Sequence, residues 1–133
     1  MVTGLSARGD EQKKATETKS VSTVPPYLIA ISQAQSLSMT IGYSNALNEL
    51  GKSYALAESK GSLISPELHY VYNHATPAGK YLAADLIRQF DKTKGTSLLK
   101  ALTEDHTTVE FNEGCIVNRT TIGERASRAL LGK

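Results

Sequence analysis

Three histidines, one cysteine and a run of C-terminal arginines are the side chains in this sequence best suited to chemistry. His69, His74 and His106 carry the imidazole needed for metal ligation or for titration near neutral pH. The five-residue step from His69 to His74 does not put both on one helical face, and no His-Glu-x-x-His pattern occurs. No metal site and no other cofactor is expected. Cys115 has no basic cluster near it in sequence to lower its pKa, so an inert, buried thiol is expected. Gly51 and Gly61 are isolated and follow no strand signal, which leaves no phosphate-cradling loop. Asn118-Arg119-Thr120 has the form of a glycosylation acceptor, but without a secretory leader it reads as a chance tripeptide. No catalytic constellation emerges, and the chain reads as non-enzymatic.

The arginines remain. Arg119, Arg125 and Arg128, with Lys133, face only Glu124 in sequence and could touch nucleic acid, an anionic lipid or an acidic partner. Ordinary solvation and complementarity to a helix C-terminus account for the same charges. Over 133 residues, 15 Lys and Arg against 13 Asp and Glu give a net charge of +2, too even for a dedicated nucleic-acid binder. No aromatic residues interleave with the arginines to stack bases. A single cysteine excludes an intrachain disulfide framework and a multi-cysteine zinc module, and it suits a reducing compartment. With a polar start that does not resemble a signal peptide, this makes a cytoplasmic location the expectation.

The elements that must position these residues are unevenly charged. Residues 1–23 mix basic, acidic, Ser and Thr side chains without apolar periodicity, and are expected to form a flexible arm. Residues 24–48 then contain no charged side chain at all. Pro25-Pro26 suits a helix start, because proline at the first helical position forfeits no bonded N–H. The segment is long enough to span a bilayer, but Ser32, Gln33, Gln35, Ser36, Ser38 and Thr40 interrupt it, which argues against an integral membrane helix. Ala30, Ala34, Ser38, Gly42 and Ala46 recur every four residues, and Ser53, Ala57 and Gly61 resume after a slip in phase. On a helix this makes a stripe of small side chains that allows close backbone approach. Two readings follow: a core helix covered by the rest of the chain, or a helix made to pack against copies of itself.

Downstream, Gly61 reads as a helix cap, and Ser65-Pro66-Glu67 as N-cap, first helical residue and dipole-favourable acid for a helix over 68–73. Thr76-Pro77 repeats that signal before a stretch in which Leu82, Leu86, Ile87 and Phe90 share a face. Residues 97–103 form a further short helical piece. Thr107 to Phe111 and Cys115 to Asn118 favour strands around the turn Asn112-Glu113-Gly114, and Thr121 with Glu124 has capping-box spacing for a last helix over 125–131. The expected fold is mainly α: one long N-terminal helix, then short helices and a small C-terminal β-hairpin. Residues 1–23 would be the arm and 24–133 a single mainly helical domain. With aromatics at 6 % and no Trp, its core would be mostly Ala, Leu and Ile.

One resemblance bears on function. Ala34-Gln35-Ser36-Leu37-Ser38-Met39, then Asn45-Ala46, then Ala57-Glu58-Ser59-Lys60-Gly61, is similar to the Reb ("killing trait") family, as is the Thr76-Pro77-Ala78-Gly79-Lys80 region. The likeness covers about residues 25–80. Where the family has a Gln-rich middle, this chain has Asn48-Glu49-Leu50-Gly51-Lys52. The resemblance implies a subunit of R-bodies, coiled bacterial protein ribbons that unroll when the pH falls. The expected function is therefore a non-enzymatic, self-assembling structural protein. Its partners would be copies of itself or related subunits, joined through Ala30, Ala34, Ser38, Gly42, Ala46 and Ala57. Nucleic acid is not expected, and any membrane contact would be peripheral. His69, His74 and His106, with Glu67 or Asp85 as partners, would be the groups able to sense pH. The alternative is a small protein- or nucleic-acid-binding regulatory or phage-type domain that uses Arg119, Arg125 and Arg128.

Overall fold

The computed structural model describes residues 24–40, 46–113 and 116–132, and of Glu113 the backbone only. The expected arm over 1–23, and with it Gly42, Cys115 and Lys133, lies outside the described residues. What is described is mainly helical with a small hairpin near the C-terminus.

Among the described residues the single long N-terminal helix is not present. Helix α1 covers Pro26–Ser32, with Pro26 at its start as the sequence suggested, and buries Leu28 and Ile31. It stops because its last carbonyls are claimed from far along the chain. The Thr76 N–H donates to the Ser32 carbonyl at 3.0 Å, and the Thr76 hydroxyl donates to the Ala34 carbonyl at 2.6 Å. The chain then runs extended. Leu37 is buried and its N–H donates to the Glu110 carbonyl at 2.7 Å, while Thr40 forms an isolated antiparallel bridge with Leu47. Long-range hydrogen bonds thus override a spacing that looked helical.

Asn48 restarts the helical chain. Its side chain accepts from the Gly51 N–H at 2.8 Å and donates to the Ser38 carbonyl at 2.9 Å, capping α2 (Glu49–Lys60) and tethering the extended segment to it. Glu49 and Lys60 complement the dipole at the two ends. Gly61 ends α2 at φ 56°, a left-handed value that costs glycine little. A 3₁₀ turn, Gly61–Ile64, then leads directly into α3 (Ser65–His74). Ser65 already has helical angles, so it is the first helical residue and not the cap; Pro66 and Glu67 sit in the first turn as expected.

Thr76 caps α4 (Pro77–Phe90) by accepting from the Gly79 N–H at 3.1 Å. Helix α4 is the centre of the molecule: Ala78, Tyr81, Leu82, Ala83, Ala84, Leu86 and Ile87 are all buried on it. Helices α1, α2, α3 and the next two helices all pack against it. A Cβ at Gly79 would lie 2.5 Å from the Ile31 carbonyl oxygen, so α1 rests on α4 at a position only glycine allows. Asp91 then caps α5 (Lys92–Leu102), which begins five residues earlier than the 97–103 expected, because the Asp91 carboxylate takes the Lys94 N–H at 3.1 Å.

Strands β1 (Thr108–Glu113) and β2 (Ile116–Thr121) form the expected hairpin, with Val109 opposite Thr120 and Phe111 opposite Asn118. Helix α6 (Ile122–Leu130) follows at once, capped by Thr121, whose hydroxyl accepts from the Glu124 N–H at 3.1 Å. Its apolar face (Ile122, Ala126, Ala129) closes the core with Leu28, Leu68, Val71, Ile87 and Leu99. Full burial of each Leu, Ile or Val among them is worth about 1.5–3 kcal/mol.

Candidate functional site

A polar recess lies where α2, α4, β1 and α6 meet. Helix α4 presents Tyr81, Asp85 and Gln89 one turn apart, a polar row beside its apolar faces. Tyr54, from α2, donates its hydroxyl to Asp85 Oδ2, and Gln89 Nε2 donates to the Tyr54 hydroxyl oxygen at 3.0 Å. From the hairpin, Asn112 Nδ2 donates to the Thr40 carbonyl at 2.9 Å. From α6, the Arg125 guanidinium lies 5.0 Å from the Phe111 ring centre, a cation–π distance. Tyr54, Tyr81, Asp85, Asn112 and Arg125, with Leu37, Met39, Thr40 and Leu82, line about 310 Å³.

The electrostatics of the recess follow from burial next to charge. Burial pushes the Tyr54 phenol far above its usual range, and the adjoining Asp85 carboxylate, by charge and hydrogen bond, pushes it further. Tyr81 is raised first by burial and then by Asp85, while Arg125, by charge and hydrogen bond, and the charge of Arg88 pull it back. Both phenols therefore stay protonated at neutral pH, Tyr54 with its hydrogen given to Asp85. Arg125 Nε is enclosed and has no hydrogen-bond partner among the described residues.

The residues singled out from sequence are dispersed. Of the small-residue stripe, Ala34 and Ala57 are buried, Ala30 and Ser38 half-buried and Ala46 exposed, and they sit on α1, the extended segment and α2. They do not share one helical face, because no helix runs through them; Gly42 is outside the described residues. His69 and His74 lie on α3, and His106 lies in the link to β1. His74 stacks on Tyr70 with ring centres 4.0 Å apart, and its Nδ1 is 2.9 Å from the Tyr70 carbonyl. Asp85 is engaged by Tyr54, and Glu67 acts on Tyr27, whose phenol is raised first by burial and then by that charge. Among the described residues, no group of three or more His, Cys, Asp or Glu is placed to hold a metal ion, and no helix is long and apolar enough to cross a membrane.

The arginines also part company. Arg119 pairs with Glu110 at 3.4 Å across the hairpin, Arg128 pairs with Glu124 at 3.8 Å along α6, and Arg125 alone turns inward. Both pairs are exposed and contribute little to stability. Sequence reasoning missed Tyr54, Tyr81 and Asn112 as members of this recess, and it offered Asp85 as a partner for a histidine, not for Tyr54. The four-residue steps from Tyr81 to Asp85 to Gln89, polar within an apolar helix, were the available signal. Compared with protein-family models, curated proteins and solved structures, the chain matches none of them.

Proposed function

We propose that this chain is a non-catalytic structural protein that associates with copies of itself, and that the outer edge of β2 is where they join. The observation that carries this reading is the exposure of Ile116 and Val117, each 62 % accessible, on a strand beyond which no described strand continues the sheet. Because the Glu110 carbonyl points away from β2 to Leu37, antiparallel alternation turns the backbone groups of the opposed Arg119, and of Val117, outward as well. An edge with free backbone groups and β-branched side chains is a template for another strand. Two β2 strands can meet about a two-fold axis with the same residues on both sides. The resemblance to the Reb family supports the same class of function, with copies joined through a strand edge in place of the long helix expected at first. His69, His74 and His106 are the imidazoles through which such an assembly would respond to pH.

The alternative use of Arg119, Arg125 and Arg128 as a basic docking face has less support. Two of them carry their own carboxylates and the third is drawn into the recess. Sedimentation velocity over a wide concentration range, with negative-stain microscopy of the most concentrated sample, tests the proposal. Concentration-dependent oligomers or ribbons are expected, and Val117→Lys should return the chain to monomers. A strictly monomeric chain, or assemblies indifferent to Val117→Lys, would overturn it.

A further inference from the structure

The recess between α4, β1 and α6 holds one negative and one positive side chain that do not neutralise each other. Asp85 and Arg125 both line it, yet no ion pair within 4.0 Å joins them among the described residues. Tyr81 lies within the influence of both. Each charge keeps bonding capacity that the other does not meet. Asp85 Oδ2 accepts from Tyr54, while Oδ1 has no partner among the described residues. Arg125 has its guanidinium at cation–π distance from Phe111 and acts on Tyr81 by charge and hydrogen bond, while its enclosed Nε is without a partner among the described residues. A carboxylate set against the guanidinium gains a charge-assisted bond.

Charge balance selects the ligand class. A simple anion at Arg125 would face the Asp85 carboxylate, and a simple cation at Asp85 would face the guanidinium. A molecule carrying both charges satisfies both residues at once. The remaining walls, Leu37, Met39 and Leu82, are apolar, and a volume of about 310 Å³ is at the small end of ligand pockets. We propose that this recess binds a small amino-acid-like zwitterion, its ammonium at Asp85, its carboxylate at Arg125 and its apolar body against Leu37, Met39 and Leu82. Tyr81 stands beside both charged ends as a hydroxyl donor or acceptor, and Asn112 forms part of the rim. The proposal does not depend on whether copies of the chain associate.

Titration of the full ¹⁵N-labelled chain, followed by amide shifts, tests it with L-leucine and 5-aminovalerate as two zwitterions of different charge separation. Isoamylamine and 4-methylvalerate, which keep one charge each, are the controls. One of the zwitterions is expected to give saturable shifts at Tyr81, Asp85, Asn112 and Arg125, at least about tenfold tighter than either half-ligand, since each lost charged contact is worth about that factor. Asp85→Asn and Arg125→Gln should each weaken it by a similar factor. Absence of saturable shifts with both zwitterions, or equal binding of a half-ligand, would overturn the proposal. The half-ligand comparison uses the unmodified chain, so it decides the matter even where a variant does not fold.

Discussion

The two edges of the hairpin are treated in opposite ways. Along β1, the extended segment ending at Thr40 closes the edge: Leu37 gives its N–H to Glu110, and Asn112 reaches the Thr40 carbonyl. Along β2, Ile116 and Val117 are exposed and no described strand continues the sheet. A two-stranded ribbon is marginal in water by itself, so one edge must be built into the domain. The other is left over for use. The difference teaches that residues with similar β-branched or aliphatic character serve stability on one side and association on the other.

The largest expected effect comes from breaking the closed side. Leu37→Ala removes a buried side chain between the extended segment and β1, and should destabilise the fold by about 2–3 kcal/mol in urea titrations. A loss below about 1 kcal/mol would mean that the segment is not needed to hold the hairpin. Thr76→Ala comes next. It removes the cap of α4 and the hydroxyl bond to the Ala34 carbonyl together, with an expected cost of about 1–2 kcal/mol. If Thr76→Ser recovers most of that loss, the hydroxyl rather than the methyl group is responsible.

Alkaline pH offers a gentler probe of the same side, because Tyr54 lines the recess beside Thr40 and Asn112. The folded state raises this phenol's pKa, chiefly by burial and then by Asp85. The stability tied to its protonated form is fully present below the unfolded value of about 10 and is lost as pH rises beyond it. The urea midpoint of the unmodified chain should therefore fall between about pH 9 and 11. It should fall less steeply in Tyr54→Phe; equal slopes would contradict the assignment. Smallest of all, Val117→Lys on the open edge should change monomer stability by no more than about 0.5 kcal/mol while removing association.

How far the sequence foretold this arrangement depends on the range of the interactions. Thr76 and Thr121 with Glu124 act within a few residues, and the helices they start stand close to where those signals put them. The hairpin forms too, but Asn112 and Glu113, expected in its turn, pair with Val117 and Ile116 as the end of β1. Residues 24–40 misled for a definite reason. Leu28, Ile31, Ala34 and Leu37 are all buried and lie three apart, a helical spacing. The chain meets that pattern with one short helix and then an extended run, and the choice is made by Thr76, Glu110 and Asn112. No local pattern announces partners that distant. Tyr54 and Asp85 escaped for the same reason, since 31 residues separate them.

The bond between Asn112 and Thr40 spans 72 residues, and that span carries a kinetic consequence. Closing so long a loop costs entropy before any contact rewards it. Helices α3 to α5, built from neighbours in sequence, can assemble without it. The extended segment and the hairpin must wait for one another, so their docking is expected after the main folding barrier. In stopped-flow measurements Leu37→Ala should then speed unfolding and leave the folding rate nearly unchanged. The hairpin edge offered to other copies would thus be finished last, which keeps partly folded chains from pairing through it.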